Sequence, residues 1–238
     1  MERLNKLIAQ AGIASRRGAD DLISAGRVGV NGSIVRKLGV TVNPATDEVT
    51  VDGKALPRAA ASLTYAFYKP RGIVTSTKRQ AKEKIVTDFL PKKPTVYPVG
   101  RLDKDSEGLL LMTNDGELAN RLTHPSFEHE KEYLVICRPD TSKPQLSPRQ
   151  IAKTLLKGVK LGDGLAKADQ IEVSSEAAYM KLRIVVHEGR MHLIRRMCAQ
   201  VGLHVIKLER LRIGHLTLHL KPGTYQLLTE AQLSLLND

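Results

Sequence analysis

Apolar residues at the start of the chain recur with the period of an amphipathic helix. The buried stripe of a helix from Arg3 to about Ala11 is formed by Leu4, Leu7, Ile8 and Ala11, and Gly12 ends it. Ser15 can cap a second helix that ends at Gly26, and Asn31-Gly32 after a short strand is a hairpin signal. The pattern predicts a compact helix-helix-hairpin domain over residues 1–56, which Val49 and Val51 complete.

A segment rich in small residues, Pro57-Arg58-Ala59-Ala60-Ala61-Ser62, predicts a linker over residues 57–62. Beyond it, apolar runs predict strands at 63–68, 109–113, 132–137, 168–173, 180–186, 205–212 and 216–220. Helical periodicity predicts helices at 85–90, 117–122, 148–156, 193–201 and 230–236. Short turns between neighbouring strands favour a mixed, mainly antiparallel sheet flanked by helices, so the fold class is α+β and residues 63–238 form the larger domain.

Composition narrows the class of protein. No apolar run approaches the ~20 residues that a bilayer span needs, and the N-terminus lacks the pattern of a secretory signal. The two cysteines, Cys137 and Cys198, have no CxxC spacing, and His215 and His219 have no third ligand nearby. We therefore expect a cytoplasmic protein without membrane contact, metal site or cofactor.

The net charge of +12 is unevenly distributed. Residues 57–101 contain 10 basic and 2 acidic side chains, whereas residues 1–56 contain 8 and 6. The basic stretch includes Lys69, Arg71, Lys82 and Lys84, and it ends at Arg101. This placement favours binding of a polyanion such as nucleic acid over a generally solvated basic surface.

Asp103 follows the strand Tyr97-Pro98-Val99-Gly100 and precedes the apolar run 109–112. A loop carboxylate between two core strands is by itself weak evidence of catalysis, because most such aspartates shape turns or cap helices. On spacing alone, the structural interpretation is favoured.

A resemblance to a known family changes that interpretation. Gly100-Arg101-Leu102-Asp103 with Gly108-Leu109-Leu110 resembles the catalytic loop of the pseudouridine synthases. In order along the chain, the family's other motifs are matched by Lys69-Pro70-Arg71-Gly72, Lys131-Glu132-Tyr133 and the run from Glu188 to Met197. Together with the N-terminal unit they resemble the RsuA-type ribosomal RNA pseudouridine synthases.

The resemblance implies a role for each matched residue. Asp103 would be the nucleophile or base that acts at the sugar, Tyr133 would pack on the target base, and Arg195 would pair with Asp103 and keep it ionised. Tyr133 fits a core aromatic on a strand almost as well. Arg101 would fill the space that the target nucleotide leaves when it is turned out of the RNA. Turning the nucleotide out costs a few kcal/mol. Leu193 departs from the pattern, since the family more often has glutamine there.

The N-terminal residues resemble the alpha-L RNA-binding motif over roughly residues 1–53. The similar segments are Arg3 to Leu7, Ser15-Arg16-Arg17 and Gly26 to Gly32. Lys6, Arg16, Arg17 and Arg27 would lie near helix N-termini or on neighbouring turns, where cations and free backbone amides meet phosphates. A small domain with a solvated basic face is the alternative.

Three functions remain open at this point. The resemblance implies a monomeric enzyme that isomerises a uridine in ribosomal RNA, and the motifs around Asp103 and Tyr133 look closer to the large-subunit members of the branch. A non-catalytic ribosomal RNA-binding or ribosome-assembly protein explains the charge equally well. A nucleosidase that uses Asp103 on a free nucleoside does not explain an RNA-binding module.

Overall fold

A computed structural model of the protein describes residues 1–57, 61–79, 82–176 and 178–236. The chain forms two compact units, the first from residues 1–62 with residues 93–95 and 114–116, and the second from the remainder. The predicted linker at 57–62 includes residues 58–60, which lie outside the described residues.

The described residues of the first unit form two helices and six short strands. The helices are α1 (Leu4–Gln10) and α2 (Arg16–Ser24), and the strands are β1 (Glu2–Arg3), β2 (Val28–Val30), β3 (Ser33–Val35), β4 (Thr41–Val42), β5 (Val49–Val51) and β6 (Lys54–Ala55). The strands β3-β2-β5-β6 form an antiparallel sheet, and β1 pairs with β4. Both helices pack their apolar stripe into one small core with β2, β4 and β5.

Local sequence signals account for the ends of these elements. The Ser15 hydroxyl accepts a hydrogen bond from the Gly18 amide at 3.1 Å, as an N-cap does. Asn31 and Gly32 have φ values of 51° and 78°, which the tight turn between β2 and β3 requires. The structure thus confirms the helix-helix-hairpin arrangement.

The second unit is a large sheet with helices packed against it. Its strands are β7 (Thr64–Lys69), β8 (Tyr97–Val99), β9 (Glu107–Thr113), β10 (Lys131–Pro139), β11 (Val159–Leu161), β12 (Gly164–Ala166), β13 (Gln170–Ser175), β14 (Met180–Val186), β15 (Leu203–Ile213), β16 (Leu216–Thr217) and β17 (Tyr225–Leu227). Its helices are α3 (Gly116–Thr123), α4 (Pro148–Lys157), α5 (Leu193–Gln200) and α6 (Glu230–Ser234). Short 3-10 turns occur at Val86–Phe89 and Pro125–Phe127.

The strands of the main sheet follow the order β13-β14-β10-β15-β9-β7-β17, with β16 on β15 and β8 on β9. Among the described residues, every strand pairing in this sheet is antiparallel except that of β15 with β9, which is parallel at Glu209–Glu107 and Arg210–Gly108. The α+β class and the mainly antiparallel sheet are confirmed. The parallel pair lies at the centre of the sheet, next to the loop that contains Asp103.

Gly108 permits the close approach of β9 and β15. Its φ is +105°, and a Cβ there would lie 2.3 Å from the carbonyl oxygen of Arg210. Such a contact is impossible without moving backbone, so glycine is required at this point of the motif.

Some predicted elements differ in the structure. The helix expected at 85–90 is a single 3-10 turn, because Ile85 bridges to Val74 and donates its amide to the Asp88 carboxylate, and Pro91 follows directly. The strand expected at 216–220 ends at Thr217, where its pairing with β15 stops. The hairpin of β11 and β12 was not predicted.

Candidate active site

The loop from Gly100 to Ser106 joins β8 to β9 and is fixed by several polar contacts. Gly100 has a φ of 72°, which starts the turn out of β8. Leu102 is buried, and the Thr75 hydroxyl bonds both its backbone groups, donating to the carbonyl at 2.6 Å and accepting from the amide at 3.3 Å. The Ser106 amide donates to the Asp103 carbonyl at 3.0 Å. Asp103 therefore lies on a rigid turn.

Lys69 has a different role from the one the sequence suggested. Its side chain is fully buried, and Nζ donates to the carbonyl oxygens of Asp103 at 2.9 Å and Ser106 at 2.6 Å, with longer contacts to Pro70 and Lys104. Burial lowers the pKa of this ammonium to about 8, and the nearby carboxylates of Asp103, Asp105 and Glu107 oppose that shift. Lys69 is thus a support of the Asp103 loop, and the prediction that it binds RNA was wrong.

The Asp103 carboxylate faces a cavity of ≈ 460 Å³. Its side chain is 32% exposed, and Oδ1 lies 3.4 Å from Nε2 of His192. His192 is the N-cap of α5 and has left-handed backbone angles, φ 53° and ψ 25°. Non-glycine residues in this conformation are uncommon and occur often at functional sites.

Arg195 does not pair with Asp103. Its guanidinium donates instead to the carbonyls of Asp105 at 3.1 Å and Val205 at 3.4 Å, and it contacts the Ser106 hydroxyl at 3.5 Å. Among the described residues, no ion pair joins Arg195 to Asp103. The predicted ion pair was wrong, because the first turn of α5 directs this arginine to the end of the loop and leaves His192 beside the carboxylate.

The segment that contains His192 is attached to the β11–β12 hairpin. Arg190 donates to the Asp163 carboxylate at 3.0 Å and to the Leu165 carbonyl at 2.7 Å, and Arg196 bonds both oxygens of Asp163 at 2.9 Å. These contacts lower the pKa of the Asp163 carboxyl, mainly through Arg196. The hairpin thereby stabilises the approach of His192 to Asp103.

Tyr133 of β10 lines the same cavity and is 9% exposed. It belongs to the main core and also contributes to the cavity wall, so its position is compatible with both the core interpretation and the base-packing interpretation. Its cross-strand neighbour on β15 is Arg210, which also lines the cavity.

Lys131, two residues before Tyr133, is a further cation in the cavity wall. Its Nζ donates to the carbonyls of His129 at 2.7 Å and His187 at 3.0 Å. Burial lowers the pKa of Lys131 to about 8, and the positive charge of Arg210 lowers it further.

Several basic side chains of the stretch 57–101 lie in or near the Asp103 loop. Arg101 is exposed and lines the cavity next to Asp103. Arg71 is exposed, with Nε 4.0 Å from the Asp105 carboxylate. Lys82 and Lys84 are exposed on either side of Glu83, whose carboxylate lies 2.7 Å from Nζ of Lys104 in the Asp103 loop. Arg71, Lys82, Lys84 and Arg101 are therefore exposed near the Asp103 loop, whereas Lys69 is buried and bonds the backbone of that loop.

The first unit presents part of its predicted basic set to solvent. Arg16 and Arg17 are exposed in the first turn of α2. Lys6 lies in α1, 2.9 Å from Glu2. Arg27 bonds Asp52 through Nε at 2.7 Å and Nη2 at 2.5 Å, so its planar fork is occupied and contact with a phosphate would require this pair to open.

Sequence reasoning did not single out His192, Lys131 or Arg210 as site residues. His192 and Lys131 were inside the quoted motifs, adjacent to residues that received a role. Arg210 had a subtler signal, since it occupies an inward position of β15, where Leu208 and Ile213 are apolar. A charged residue on the core side of a strand is the kind of exception that marks a site.

Two family models match the chain. The model described as RNA pseudouridylate synthase matches residues 64–200, and that of the S4 domain matches residues 2–49. Within the described residues, no helix is long and apolar enough to cross a bilayer.

Curated relatives and solved structures agree with these matches. Ribosomal large subunit pseudouridine synthase B of Bacillus subtilis (strain 168) is 40% identical over 222 residues, which cover 92% of this chain and 88% of the relative. An uncharacterized RNA pseudouridine synthase of Aquifex aeolicus (strain VF5) is 41% identical over 98% of this chain and 92% of its own length. A crystal structure of a pseudouridylate synthase superposes with a TM-score of 0.67 at 27% identity, covering 99% of this chain and all of that chain. With the Asp103 loop, the cavity and these matches together, the chain belongs to the RNA pseudouridylate synthase family and has an N-terminal S4 domain.

Proposed function

We propose that this enzyme converts a specific uridine of large-subunit ribosomal RNA into pseudouridine, with Asp103 as the carboxylate that acts at the sugar. The reaction is an isomerisation: the C1′–N1 bond breaks, a C1′–C5 bond forms, C5 loses a proton and N1 gains one. No electron acceptor or donor enters this balance, so the proposal includes no cofactor.

The observation that supports a catalytic role for Asp103 is that its carboxylate is less engaged by cations of the protein than the other carboxylate of the cavity. Among the described lining residues, the carboxylates are those of Asp103 and Glu188. Glu188 is engaged by Nε of Arg190 at 2.5 Å, whereas the neighbour of the Asp103 carboxylate at ion-pair range, within the described part of the chain, is the imidazole of His192. Asp103 is thus the carboxylate that remains available to a substrate.

Tyr133 and Arg101 have complementary positions for an extruded nucleotide. A base can reach a cavity below the protein surface only after it leaves the RNA stack, which costs a few kcal/mol. We assign the packing of the base to Tyr133 and the replacement of the missing base to exposed Arg101. The cations Arg71, Lys82 and Lys84 then contact the backbone, where phosphate binding offsets the cost of extrusion.

The large-subunit assignment rests on the relatives. The protein of Bacillus subtilis carries that description, and so does a relative in Xanthomonas campestris pv. campestris (strain ATCC 33913 / DSM 3586 / NCPPB 528 / LMG 568 / P 25) at 37% identity over 91% of this chain. We also propose that the enzyme is a monomer of the cytoplasm, a compartment in which the two buried free cysteines, Cys137 and Cys198, stay reduced.

The catalytic role is tested with Asp103→Asn, which keeps the shape of the side chain and removes its charge. We expect near-normal affinity for ribosomal RNA and no pseudouridine at saturating RNA. Asp105→Asn is the matched control, because Asp105 is exposed in the same loop, and it should remain active. Substantial product from Asp103→Asn would overturn the mechanism, and mapping of pseudouridines in cells with and without the protein identifies the uridine.

The division of labour between the units is part of the proposal: residues 1–56 add RNA affinity and residues 63–238 contain the active site. Arg16→Glu with Arg17→Glu in the full chain should weaken RNA binding while the single-turnover rate at saturating RNA is retained. Lys37→Glu with Lys54→Glu makes the same charge change at other exposed positions of the first unit and should weaken binding less. Equal losses in both double variants would contradict an RNA contact at α2.

A further inference from the structure

Among the described residues, no carboxylate pairs with the buried charge of Arg210. This residue is 5% exposed, and its Nε donates to the carbonyl of Leu109 at 2.6 Å. Its Nη2 is buried and has no hydrogen-bond partner among the described residues. Arginine stays protonated in proteins, and an uncompensated buried charge costs several kcal/mol. The protein therefore retains at this position a group that its own fold leaves unsatisfied.

The neighbouring arginine of the same strand has the partners that Arg210 lacks. Arg212 contacts the carboxylates of Glu130 at 2.9 Å and Glu132 at 3.0 Å, and it also donates to the Gly214 carbonyl. The opposite charges raise its pKa, although burial acts the other way. The difference within one strand indicates that Arg210 is not a structural arginine of the same kind.

The position of Arg210 connects it to the reaction site. It lines the cavity that Asp103 faces. Its backbone lies between β10, where it pairs with Tyr133, and β9, where it pairs with Gly108 just beyond the Asp103 loop. Directly opposed residues on adjacent strands have Cβ atoms about 5 Å apart. A ring that packs against Tyr133 therefore lies within reach of the Arg210 guanidinium.

The surroundings of Arg210 select the part of a nucleotide that can occupy this place. The cavity wall includes the apolar residues Leu111, Val186, Leu208 and Ile213, and its cations include Lys131 as well as Arg210. A phosphodiester would lose its hydration against the apolar part of this wall, whereas a flat heterocycle packs on that part and can accept a hydrogen bond from the Arg210 guanidinium through a ring carbonyl. The base therefore fits better than the backbone.

We infer that Arg210 binds the target uracil directly, donating a hydrogen bond from its guanidinium to one of the two ring carbonyl oxygens. The inference rests on the proposed function and adds a residue to it. When the C1′–N1 bond breaks, its electron pair remains on the base and spreads onto both carbonyl oxygens. A fixed cationic donor in a cavity of low dielectric constant stabilises that charge more than it stabilises the neutral uracil of the bound substrate, so Arg210 contributes to the rate as well as to binding.

The test changes one atom of the substrate and one residue of the enzyme. Three stem-loop RNAs are prepared that differ only at the target uridine: one has uridine, one has 2-thiouridine and one has 4-thiouridine. The thio substitutions replace one ring carbonyl oxygen, at C2 or at C4, by sulfur, which is a weak hydrogen-bond acceptor. Single-turnover rates at saturating RNA are measured for the wild type and Arg210→Met. For each thio position, the rate on the uridine RNA is divided by the rate on the thio-substituted RNA. If Arg210 donates a charge-assisted hydrogen bond to one of the two oxygens, this ratio should be about tenfold or more larger in the wild type than in Arg210→Met at that position.

Arg212→Met is the matched control, because it removes a buried arginine from the same strand. It should reduce thermal stability and leave both rate ratios at their wild-type values. If Arg210→Met does not fold, Arg210→Lys replaces it, and the ratio should then change by a smaller factor because lysine keeps the charge and loses the planar donor group.

The outcomes separate the two proposals. A wild-type enzyme that forms no pseudouridine in any ribosomal RNA would overturn the proposed function and this inference with it. A wild type that is active, with ratios that match those of the folded Arg210 variants at both positions, would overturn only the inference and leave Arg210 as a structural residue.

Discussion

The imidazole of His192 lies against the carboxylate of Asp103, with Nε2 3.4 Å from Oδ1. His192 is the residue directly before α5, and its own backbone has a left-handed conformation. This conformation turns its side chain toward the loop. The arginine three residues later bonds the backbone of the loop instead. The group that faces the candidate catalytic carboxylate is therefore the imidazole of His192 and not the guanidinium of Arg195.

We predict that His192 orients the Asp103 carboxylate. Asparagine tolerates left-handed backbone angles, so His192→Asn should preserve the start of α5 and remove the contact. The single-turnover rate at saturating RNA should fall about tenfold, because the carboxylate loses the neighbour that orients it. His192→Gly tests the backbone alone and should resemble His192→Asn. An unchanged rate in both variants would show that the contact has no role in catalysis.

Lys69 should stabilise the Asp103 loop. Lys69→Met keeps the length of the buried side chain and removes the donor for the carbonyls of Asp103 and Ser106. Unsatisfied buried acceptors cost about 1–3 kcal/mol, so the free energy of unfolding in urea should fall by about 2 kcal/mol, and the single-turnover rate should fall as well. Lys104→Met is the control, since Lys104 lies in the same loop in an exposed pair with Glu83. A larger loss of stability from Lys104→Met would contradict this role of Lys69.

The fold could be predicted from the sequence to a large extent because most signals were local. The strand at Met180–Val186 and the start of α5 at Leu193 lie where the apolar pattern indicated. Ser15 caps α2 through contacts within one helical turn. Short elements such as β11 and β12 have too few residues for a period to emerge.

The site was less predictable because its contacts join distant segments. Lys69 is satisfied by carbonyls more than 30 residues further along the chain. The direction of Arg195 depends on how α5 packs, which no spacing of motif residues reveals. Positions of the motif residues were thus predictable from the resemblance, whereas their pairings were not.

Lys82 and Lys84 should contribute to the salt dependence of RNA binding. The affinity should fall with salt by a slope of about 0.7 per neutralised phosphate for single-stranded RNA. Lys82→Glu with Lys84→Glu should flatten that slope. The control is Lys153→Glu with Lys157→Glu, two exposed residues of α4, which packs against β13 at the other end of the sheet from β7. If the two double variants change the slope equally, binding depends only on net charge.

The ammonium of Lys131 should titrate near pH 8, because burial lowers its pKa to about 8 and the charge of Arg210 contributes to that shift. Below this pH the cavity wall contains both cations, and as the pH rises through about 8 one of them is lost. The folded-state pKa is lower than the ordinary value of 10.5, so the unfolded chain binds more protons between about pH 8 and 10.5. This residue alone therefore makes the free energy of unfolding rise with pH across that window.

The two causes of the Lys131 shift can be separated by mutation. Arg210→Met removes the neighbouring positive charge and leaves Lys131 buried. The pKa of Lys131 should therefore move upward toward 10.5, because a like charge no longer disfavours the protonated ammonium. Arg212→Met should leave the Lys131 pKa in place, since Arg212 is engaged by Glu130 and Glu132. NMR titration of the lysine side-chain resonances measures both values without any substrate. An unshifted Lys131 in Arg210→Met would mean that the two cations do not interact across the cavity wall, which would also weaken the case that Arg210 points its charge into the cavity.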